Sequence, residues 1–361
     1  MDEIRYGVIG TGMMGIEHMQ NVALCEGARV VAVSDPHEPS LGWARLTAKQ
    51  QGLEIATFAD HRDLLARGDV DAVVVASPNH THAAVLDAVF ESGVHALVEK
   101  PLCTTLDDAV AVAERAAAHA GVFQVGMEYR YMPPVARLLD EVRGGTVGRL
   151  RMLAIREHRM PFLPKVGDWN RFARNTGGTL VEKCCHFFDL MRLIVGAEPA
   201  RVFASGAQDV NHLDERYGGE TPDILDNAFA IVDFEGGARA LLDLCMFAEG
   251  SRHVEEIAAT GDAGKVECFL PASTVVVGHR APRAVEEHAI PVAPELLAAG
   301  FHHGSTYYEH LAFQRSIREG LPPDVTARDG LLAVAIGIAA ERSAAEGRPV
   351  AMAELGLPAG L

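Results

Sequence analysis

Residues 6–15 read Tyr-Gly-Val-Ile-Gly-Thr-Gly-Met-Met-Gly, and in them an apolar run leads directly into Gly10-x-Gly12-x-x-Gly15. A helical pattern follows, and a second apolar run ends at Asp35, 20 residues beyond the last glycine. In such a turn the first glycine permits the tight bend, the second leaves the backbone open to a pyrophosphate, and the third lets the helix pack on the strand. The stretch therefore predicts a dinucleotide site, with the phosphates at the N-terminus of a helix.

The choice of dinucleotide is indicated by the acid that ends the second apolar run. Asp35 lies where a carboxylate accepts from a ribose 2′-hydroxyl and repels a 2′-phosphate, and no arginine stands at positions 36–38. We therefore expect NAD rather than NADP. The first predicted cofactor contacts are Gly10, Thr11, Gly12, Met13, Met14, Gly15, Asp35 and Pro36.

The overall composition is that of an acidic globular protein. A length of 361 residues favours two domains. Hydrophobic residues make up 48% of the chain and charged residues 22%, as in ordinary globular domains. The formal net charge is −17 and no cluster of Lys and Arg stands out, which argues against nucleic acid as a partner.

The N-terminus and the cysteines favour a cytoplasmic protein. Residues 1–5 carry acids and lead straight into a predicted strand, unlike a signal peptide. No uninterrupted apolar run approaches the roughly 18 residues of a membrane span. The six cysteines are scattered without CxxC spacing, which fits reduced thiols.

Strands and helices alternate through the first third of the chain. The predicted strands are Ile4–Ile9, 30–35, a short one near Ile55, 70–76, 94–99 and 122–125, and the helices between them are 13–24, 39–51, 80–92 and 106–120. Repeated βαβ units imply a parallel, doubly wound sheet, which binds ligands at the carboxyl ends of its strands. The fold class is therefore α/β, and residues 1–125 are assigned to a Rossmann domain for the dinucleotide.

The pattern changes near Gly126, and we assign 126–361 to a second domain. A helix at 132–142, a strand at 149–157, an irregular stretch at 159–178 and a strong helix at 179–195 come first. The remaining predicted strands are 200–206, 227–234, 238–247, 253–260, 265–269 and 274–277, and the last helices are 306–319 and 329–346. This order predicts an α+β domain whose mostly antiparallel sheet has helices on one face. The last helices could pack back on the first domain, and the polar segment 208–222 is a loop suited to a subunit contact.

One strand end of the first domain carries Ser77-Pro78-Asn79, after which His80 and His82 open a helix. This end should lie beside the cofactor crevice. The other interpretation is that Pro and Asn only begin the helix.

The next strand ends in Glu99-Lys100-Pro101, where the proline suits a cis bond. A partly desolvated lysine beside an oxidised nicotinamide has its charged form disfavoured, which suits proton transfer near neutral pH. The alternative is a surface strand end with two solvated charges.

A third polar set lies on the helix predicted at 179–195. Glu182, His186 and Asp189 are spaced i, i+4, i+7 and would form one stripe on an otherwise apolar helix. An imidazole held by a carboxylate one turn away is a competent general base. The alternative is a buried helix whose histidine caps a carbonyl. The cysteines beside the histidine do not predict zinc, because no distant Cys/His pair completes a site.

Together these motifs resemble those of the glucose–fructose oxidoreductase / inositol dehydrogenase / rhizopine-catabolism (Gfo/Idh/MocA) family over essentially the whole chain. The residues that carry the resemblance are Gly10-x-Gly12-x-x-Gly15, Ser77-Pro78-Asn79 with His82, Glu99-Lys100-Pro101, Gly177-Gly178 before Glu182-x-x-x-His186, Tyr308-Glu309-x-x-x-Phe313, and 339–350. The resemblance implies a Rossmann domain and an α/β domain with a large open sheet, whose faces pair into homodimers or homotetramers. It also implies that NAD serves to oxidise a secondary alcohol of a sugar, sugar derivative or cyclitol, or to reduce the matching ketone.

The resemblance also assigns roles to single residues. The helix histidine corresponds to His186, which would take the hydroxyl proton, and the lysine of the Glu-Lys-Pro motif corresponds to Lys100, which would bond the same oxygen. Glu182 stands where the family usually has Asp, and with these two it completes the expected catalytic set. The other expected cofactor contacts are Ser77, Pro78, Asn79, His82, Glu99, Lys100 and Glu128. The expected substrate contacts are Lys100, Tyr129, Arg130, His158, Trp169, Asn170, His186, His303 and Tyr307.

Two other functions stay open. Some members of the family oxidise transiently with a retained NAD and then cleave a glycosidic bond by elimination, so net NADH release separates the two reactions. A non-catalytic NAD-sensing protein would need neither Lys100 nor His186, and the presence of both argues against it.

Overall fold

The computed structural model describes residues 3–358 and divides them into two units. The first unit comprises 3–128 and 293–331, and the second comprises 129–292 and 332–358. The α-helices are α1 (Met13–Val22), α2 (Glu38–Gln50), α3 (His61–Leu65), α4 (His82–Ser92), α5 (Leu106–Ala117), α6 (Pro133–Arg143), α7 (Ala173–Thr176), α8 (Thr179–Glu182), α9 (Cys185–Val195), α10 (Pro294–Ala298), α11 (Ser305–Glu319) and α12 (Ala327–Glu346). The strands are β1 (Ile4–Ile9), β2 (Ala28–Ser34), β3 (Ala56–Phe58), β4 (Ala72–Val75), β5 (His95–Glu99), β6 (Phe123–Gly126), β7 (Leu150–His158), β8 (Pro199–Ala207), β9 (Asn227–Phe234), β10 (Arg239–Cys245), β11 (Glu255–Gly261), β12 (Gly264–Leu270), β13 (Thr274–Arg280), β14 (Arg283–Ala289) and β15 (Val350–Ala351).

The first unit is built on a six-stranded sheet in the order β3-β2-β1-β4-β5-β6. All of its strand pairings are parallel, as the βαβ pattern predicted. Every residue of β4 is buried, because a strand covered on both faces needs apolar side chains without alternation. The doubly wound Rossmann architecture is confirmed.

The second unit contains a nine-stranded sheet in the order β14-β13-β12-β11-β7-β10-β9-β8-β15. Only the pairing of β7 with β10 is parallel among these strands, and the others are antiparallel. Burial alternates along β9, where Ala230 and Val232 are buried while Phe229 and Ile231 are exposed. Helices α6 and α9 pack against β12 and β7 on the buried face. The mostly antiparallel sheet is therefore confirmed, and its other face is exposed in the single chain, with large apolar side chains such as Phe229 and Ile231 among charged ones.

Five short or exposed elements carried too little signal to be predicted: α3, α7, α10, β14 and β15. Helix α3 is only five residues long and is capped by Asp60, whose carboxylate accepts from the backbone N–H of Arg62 at 2.9 Å. Helix α10 is equally short. Strand β14 is an edge strand of mostly exposed polar residues, so no apolar alternation marks it.

The helix predicted at 179–195 was wrong as a single element, because the chain turns at Lys183 and Cys184 between α8 and α9. The backbone N–H of Cys184 reaches back to the carbonyl of Thr179 at 3.4 Å, which leaves the i→i−4 ladder. Neither a glycine nor a proline marks this break, so the residue pattern could not show it.

The start of α8 is fixed by Gly178 and by Glu341 of α12. Gly178 has a φ of 92°, and a Cβ there would lie 2.3 Å from Glu341 Oε1. The same oxygen accepts from the backbone N–H of Leu180 at 2.8 Å. A glycine is therefore required at this position, and a partly buried carboxylate serves one of the free N–H groups at the start of the helix.

Two further observations apply to residues 3–358. None of the helices in this part of the chain combines the length and the apolar character needed to cross a membrane. The same residues contain no group of three or more His, Cys, Asp or Glu side chains arranged to hold a metal ion.

Candidate functional site

In the glycine loop between β1 and α1, packing within the chain explains two of the three glycines. Gly10 has a φ of 91°, and a Cβ there would lie 2.6 Å from backbone atoms of Ala76 and Ser77. A Cβ at Gly15 would lie 2.0 Å from the carbonyl oxygen of Gly10. A Cβ at Gly12, in contrast, would meet no protein atom within 4 Å. Packing therefore leaves space at the N-cap of α1, where a dinucleotide pyrophosphate fits.

Asp35, at the end of β2, is held against this loop. Its Oδ2 accepts from the backbone N–H of Thr11 at 2.8 Å and from the hydroxyl of Thr11 at 3.2 Å, and its Oδ1 accepts from the N–H of His37 at 2.8 Å. A carboxylate offers about four lone-pair sites, so one more donor such as a ribose hydroxyl fits. The residues present thus suit the group that the sequence predicts.

His82 is fully buried where α4 begins. Its Nδ1 lies 2.9 Å from the carbonyl oxygen of Pro101, and its Nε2 lies 3.0 Å from that of Ser77. Burial lowers the pKa of His82. This predicted cofactor contact therefore joins the chain segments that follow β4 and β5. Ser77 in turn bonds the hydroxyl of Thr81 at 2.8 Å.

The Glu99-Lys100-Pro101 segment has the expected cis bond before the proline. Glu99 is buried, with Oε1 2.8 Å from His18 Nε2 and Oε2 accepting from the backbone N–H of Lys100 at 3.1 Å. Burial acts to raise the pKa of Glu99, but the hydrogen bond from His18 and the nearby charges of His18 and Lys100 together outweigh burial, so the pKa is lowered. Lys100 itself is partly buried. The alternative of two solvated charges does not describe this strand end.

A buried polar network continues from Glu99 through the first unit, and the sequence did not reveal it. His18 Nδ1 lies 2.9 Å from His310 Nε2. Burial, with the charges of Glu99 and Glu17, raises the pKa of Glu128 to about 7. Two polar residues in succession on the largely buried helix α1, Glu17 and His18, were the signal available.

His303 and Tyr307, two of the expected substrate contacts, lie at and beside the start of α11 in the first unit. His303 has a φ of 56°, and burial lowers its pKa. The Tyr307 ring meets that of Tyr308 edge-on, with centroids 5.4 Å apart.

The three polar residues predicted as one helical stripe are all buried, but they do not share one helix, because Glu182 ends α8 while His186 and Asp189 lie on α9. The imidazole of His186 stacks on the ring of Tyr129, with centroids 4.1 Å apart and planes 8° apart. Arg130 donates from Nε to Oδ2 of Asp189 at 2.6 Å. Arg130, expected to bind substrate, is thus engaged by the last member of the stripe.

The hydroxyl of Tyr129 is also engaged. It accepts from Lys183 Nζ at 2.6 Å and donates to Glu255 Oε1 at 3.4 Å. Lys183 Nζ lies 2.9 Å from Glu157 Oε1 as well. Burial, and then the charge of Glu157, raises the pKa of Glu255 to about 7. Lys183 was not among the predicted site residues, although a lysine within an apolar run was the available signal.

The remaining expected substrate contacts of the second unit lie on and after β7. His158 Nε2 lies 3.1 Å from Asp243 Oδ1. Trp169 is partly buried in a 3-10 segment, Val166–Arg171. Asn170 is fully buried and donates from Nδ2 to the carbonyl oxygen of Leu163 at 3.0 Å. Its Oδ1 has no hydrogen-bond partner among residues 3–358.

Comparison with known proteins gives matches along nearly the whole chain. Residues 4–127 match the model of the oxidoreductase family's NAD-binding Rossmann fold, and residues 140–352 match the model of its C-terminal alpha/beta domain. A myo-inositol 2-dehydrogenase from Thermotoga maritima is 29% identical over 98% of this chain and 99% of its own length. A scyllo-inositol 2-dehydrogenase (NAD(+)) from Bacillus subtilis is 26% identical over 96% of each chain.

The fold comparison agrees. The crystal structure of a probable dehydrogenase from Thermotoga maritima superposes with a TM-score of 0.79, at 28% identity, and covers 97% of this chain and 99% of its own. The two family models match the two predicted domains in the predicted order, with the Rossmann domain first. The chain therefore belongs to the Gfo/Idh/MocA family of oxidoreductases, with an NAD-binding Rossmann domain followed by the family's C-terminal alpha/beta domain.

Proposed function

We propose that this protein is an NAD-dependent dehydrogenase of a cyclitol or a related sugar, which oxidises a secondary alcohol or reduces the matching ketone. The observation that carries the proposal is the buried imidazole of His186, stacked on Tyr129 in the C-terminal domain of an oxidoreductase family. The inositol dehydrogenases from Thermotoga maritima and Bacillus subtilis, two of its relatives, support the substrate class. A cyclitol ring offers the adjacent hydroxyls that a set of buried polar side chains can hydrogen-bond.

Bound NAD would supply the hydride acceptor. The glycine loop would bind its pyrophosphate, and Asp35 would accept from the ribose of the adenosine. In our proposal His186 takes the proton of the substrate hydroxyl as general base, and Lys100 hydrogen-bonds the same oxygen. Most of the rate would then come from positioning and from charge stabilisation.

The direct test is a panel of substrates read by NADH absorbance. Purified protein is incubated with NAD and with myo-inositol, scyllo-inositol, other cyclitols and common sugars, each in turn. We expect steady NADH formation with at least one cyclitol or sugar. Product formation without net NADH would instead indicate oxidation and elimination with a retained cofactor. NAD binding without turnover of any panel member would indicate a sensing protein.

We also propose that the uncovered face of the nine-stranded sheet pairs with a second copy of the chain. This face exposes large apolar side chains from four neighbouring strands: Met152, Phe203, Phe229, Ile231 and Leu241. Phe203 lies directly opposite Ile231, and Ile231 opposite Leu241, so they form a continuous row across β8, β9 and β10. An apolar patch of this kind on a folded chain marks an interaction surface.

A further inference from the structure

The buried ammonium group of Lys183 lies at the turn between α8 and α9. It is hydrogen-bonded to Tyr129, and the ring of Tyr129 stacks on His186. The residue is 5% exposed, and Glu157, its partner at 2.9 Å, is fully buried. A buried lysine needs a carboxylate, and Glu157 supplies it. The same ammonium, however, also donates to the hydroxyl of Tyr129 at 2.6 Å, a bond that charge pairing alone does not require.

The hydrogen bonds fix the direction of the Tyr129 hydroxyl. An ammonium group has only donors, so the phenol oxygen must be the acceptor from Lys183. The phenol proton then points to Glu255 Oε1, 3.4 Å away. The ammonium also lies 4.8 Å from the centroid of the Tyr129 ring. The tyrosine hydroxyl is therefore held by two side chains from different elements, Lys183 of the α8–α9 turn and Glu255 of β11.

The held tyrosine ring forms one wall of the place occupied by the His186 imidazole. The two rings are nearly parallel, 8° apart, with their centroids at 4.1 Å. Parallel contact at that distance opposes rotation of the imidazole about its Cβ–Cγ bond, because a turned ring would collide with the tyrosine. The orientation of both imidazole nitrogens thus depends on where the tyrosine is held.

We propose that Lys183 is a positioning residue for His186, and that it acts through the hydroxyl of Tyr129. The inference rests on the proposed function, in which His186 is the general base. A general base must lie within hydrogen-bond reach of the proton it takes, and a displacement of about 1 Å can cost roughly 100-fold in rate. In this arrangement Tyr129 supports the histidine and does not itself bind a substrate hydroxyl.

The test is a double-mutant cycle with myo-inositol, or with the panel member that the wild type turns over fastest. Tyr129→Phe keeps the ring and the Lys183–Glu157 pair but removes the hydroxyl. We expect kcat to fall about 10- to 100-fold, while KM and the Kd for NAD stay close to wild type. In the His186→Ala background Tyr129→Phe should cost nothing further, because its effect passes through the imidazole. Lys183→Met should give a similar loss in kcat and add little to Tyr129→Phe.

A control and a second readout separate positioning from folding. Lys49→Met, at an exposed lysine of α2, should leave kcat unchanged. The second readout is the proton NMR spectrum of the protein without substrate. The resonance of the His186 Cε1 proton is assigned by its disappearance in His186→Ala. Its chemical shift should change in Lys183→Met and in Tyr129→Phe. If Lys183→Met does not fold, Tyr129→Phe alone still decides the question.

The outcomes are distinct. Equal losses from Tyr129→Phe in both backgrounds would mean that the tyrosine only stabilises the domain, and the proposal would be wrong. A wild-type kcat in Tyr129→Phe would overturn it as well. A wild-type kcat in His186→Ala would instead refute the general-base role on which the proposal rests.

Discussion

The glycine loop of the first unit and the α8–α9 segment of the second differ in what defines them. In the loop, backbone atoms decide the structure, because Gly10 and Gly15 have main-chain atoms where a Cβ would be placed. In the α8–α9 segment, buried side chains decide it, since His186, Lys183 and Tyr129 are fixed by one another. Backbone constraints of the first kind are visible in a sequence as glycines at fixed spacing, whereas side-chain networks of the second kind are not.

The largest effect should come from the histidine of the second region. His186→Ala should lower kcat by about 10²–10⁴-fold, the usual contribution of a general base, while the Kd for NAD stays nearly unchanged. Lys100→Ala should give a loss of the same order, and the double variant should lose less than the product of the two. Steady-state kinetics and calorimetric titration with NAD provide the measurements.

The matched control is His288→Ala on the edge strand β14, which should keep the wild-type rate. If His186→Ala also kept it, the buried helix would be purely structural. The α8–α9 segment would then have no part in catalysis.

The partly buried carboxylate of Glu341, at the start of α8, predicts a pH effect on stability. Burial raises the pKa of Glu341 from 4.5 to about 7. A carboxyl whose pKa is higher in the folded state binds more protons there, so its contribution to stability falls as pH rises from 4.5 to 7. Glu341→Gln removes this titration and keeps an oxygen for the N–H of Leu180. Its free energy of unfolding, relative to wild type, should therefore rise by up to roughly 3 kcal/mol between pH 4 and pH 8.

Chemical denaturation at several pH values measures this difference. Glu319→Gln, an exposed substitution on α11, should follow the wild-type pH dependence throughout. A constant difference between Glu341→Gln and wild type would show that Glu341 has the same pKa in the folded and the unfolded protein.

Local sequence patterns predicted the features that the backbone determines, but not the break between α8 and α9. The six parallel strands, the cis bond before Pro101 and the glycine loop follow from local patterns, and all are found. The prediction of one helix at 179–195 was wrong because the apolar periodicity continues through Lys183 and Cys184, whereas the helical hydrogen-bond ladder is interrupted there. That failure matters for the site, since Lys183 lies in the turn.

The partners of charged residues were equally hidden from the sequence. Arg130 and Tyr129 were expected to bind substrate, yet their polar groups meet Asp189 and Lys183, which are 59 and 54 residues away. Asp189 lies on α9 about one turn beyond His186, but its pairing with Arg130 depends on tertiary contacts. A residue type shows that a polar group needs a partner, and only the fold shows which one.

The glycine loop itself allows a paired test. Gly15→Ala places a Cβ 2.0 Å from a carbonyl oxygen, so it should lower the free energy of unfolding by about 1–3 kcal/mol or more and abolish NAD binding. Gly12→Ala meets no protein atom within 4 Å, so its melting temperature should stay near wild type while its affinity for NAD falls. Thermal denaturation without cofactor and titration with NAD separate the two effects. Unchanged NAD affinity in Gly12→Ala would mean that the pyrophosphate does not approach this residue.

A further prediction concerns the exposed sheet face of the second unit. We expect the wild type to be a dimer or tetramer, and Phe229→Asp to weaken the association by about 2 kcal/mol, because a central aromatic residue is replaced by a charge. Light scattering after size-exclusion chromatography measures the mass. Phe301→Asp is the matched control, since Phe301 is exposed and belongs to the first unit and not to the sheet. A monomeric wild type at micromolar concentration would rule the sheet interface out.

The smallest expected effect returns to the glycine loop and concerns the cofactor's 2′ position. Asp35 bonds Thr11 and His37 and should also repel a 2′-phosphate. Asp35→Asn keeps an oxygen of similar position but removes the charge, so the preference for NAD over NADP should fall about tenfold, or roughly 1.4 kcal/mol. Asp35→Ala should relax the preference as well, and it should also weaken NAD binding because the loop loses its bonds to the carboxylate. The ratio of kcat/KM for the two cofactors gives the preference, and the Kd for NAD reports the loop. If the wild type uses both cofactors equally well, Asp35 only holds the backbone of the loop. The function of a side chain could then not be inferred from its spacing even in the glycine loop.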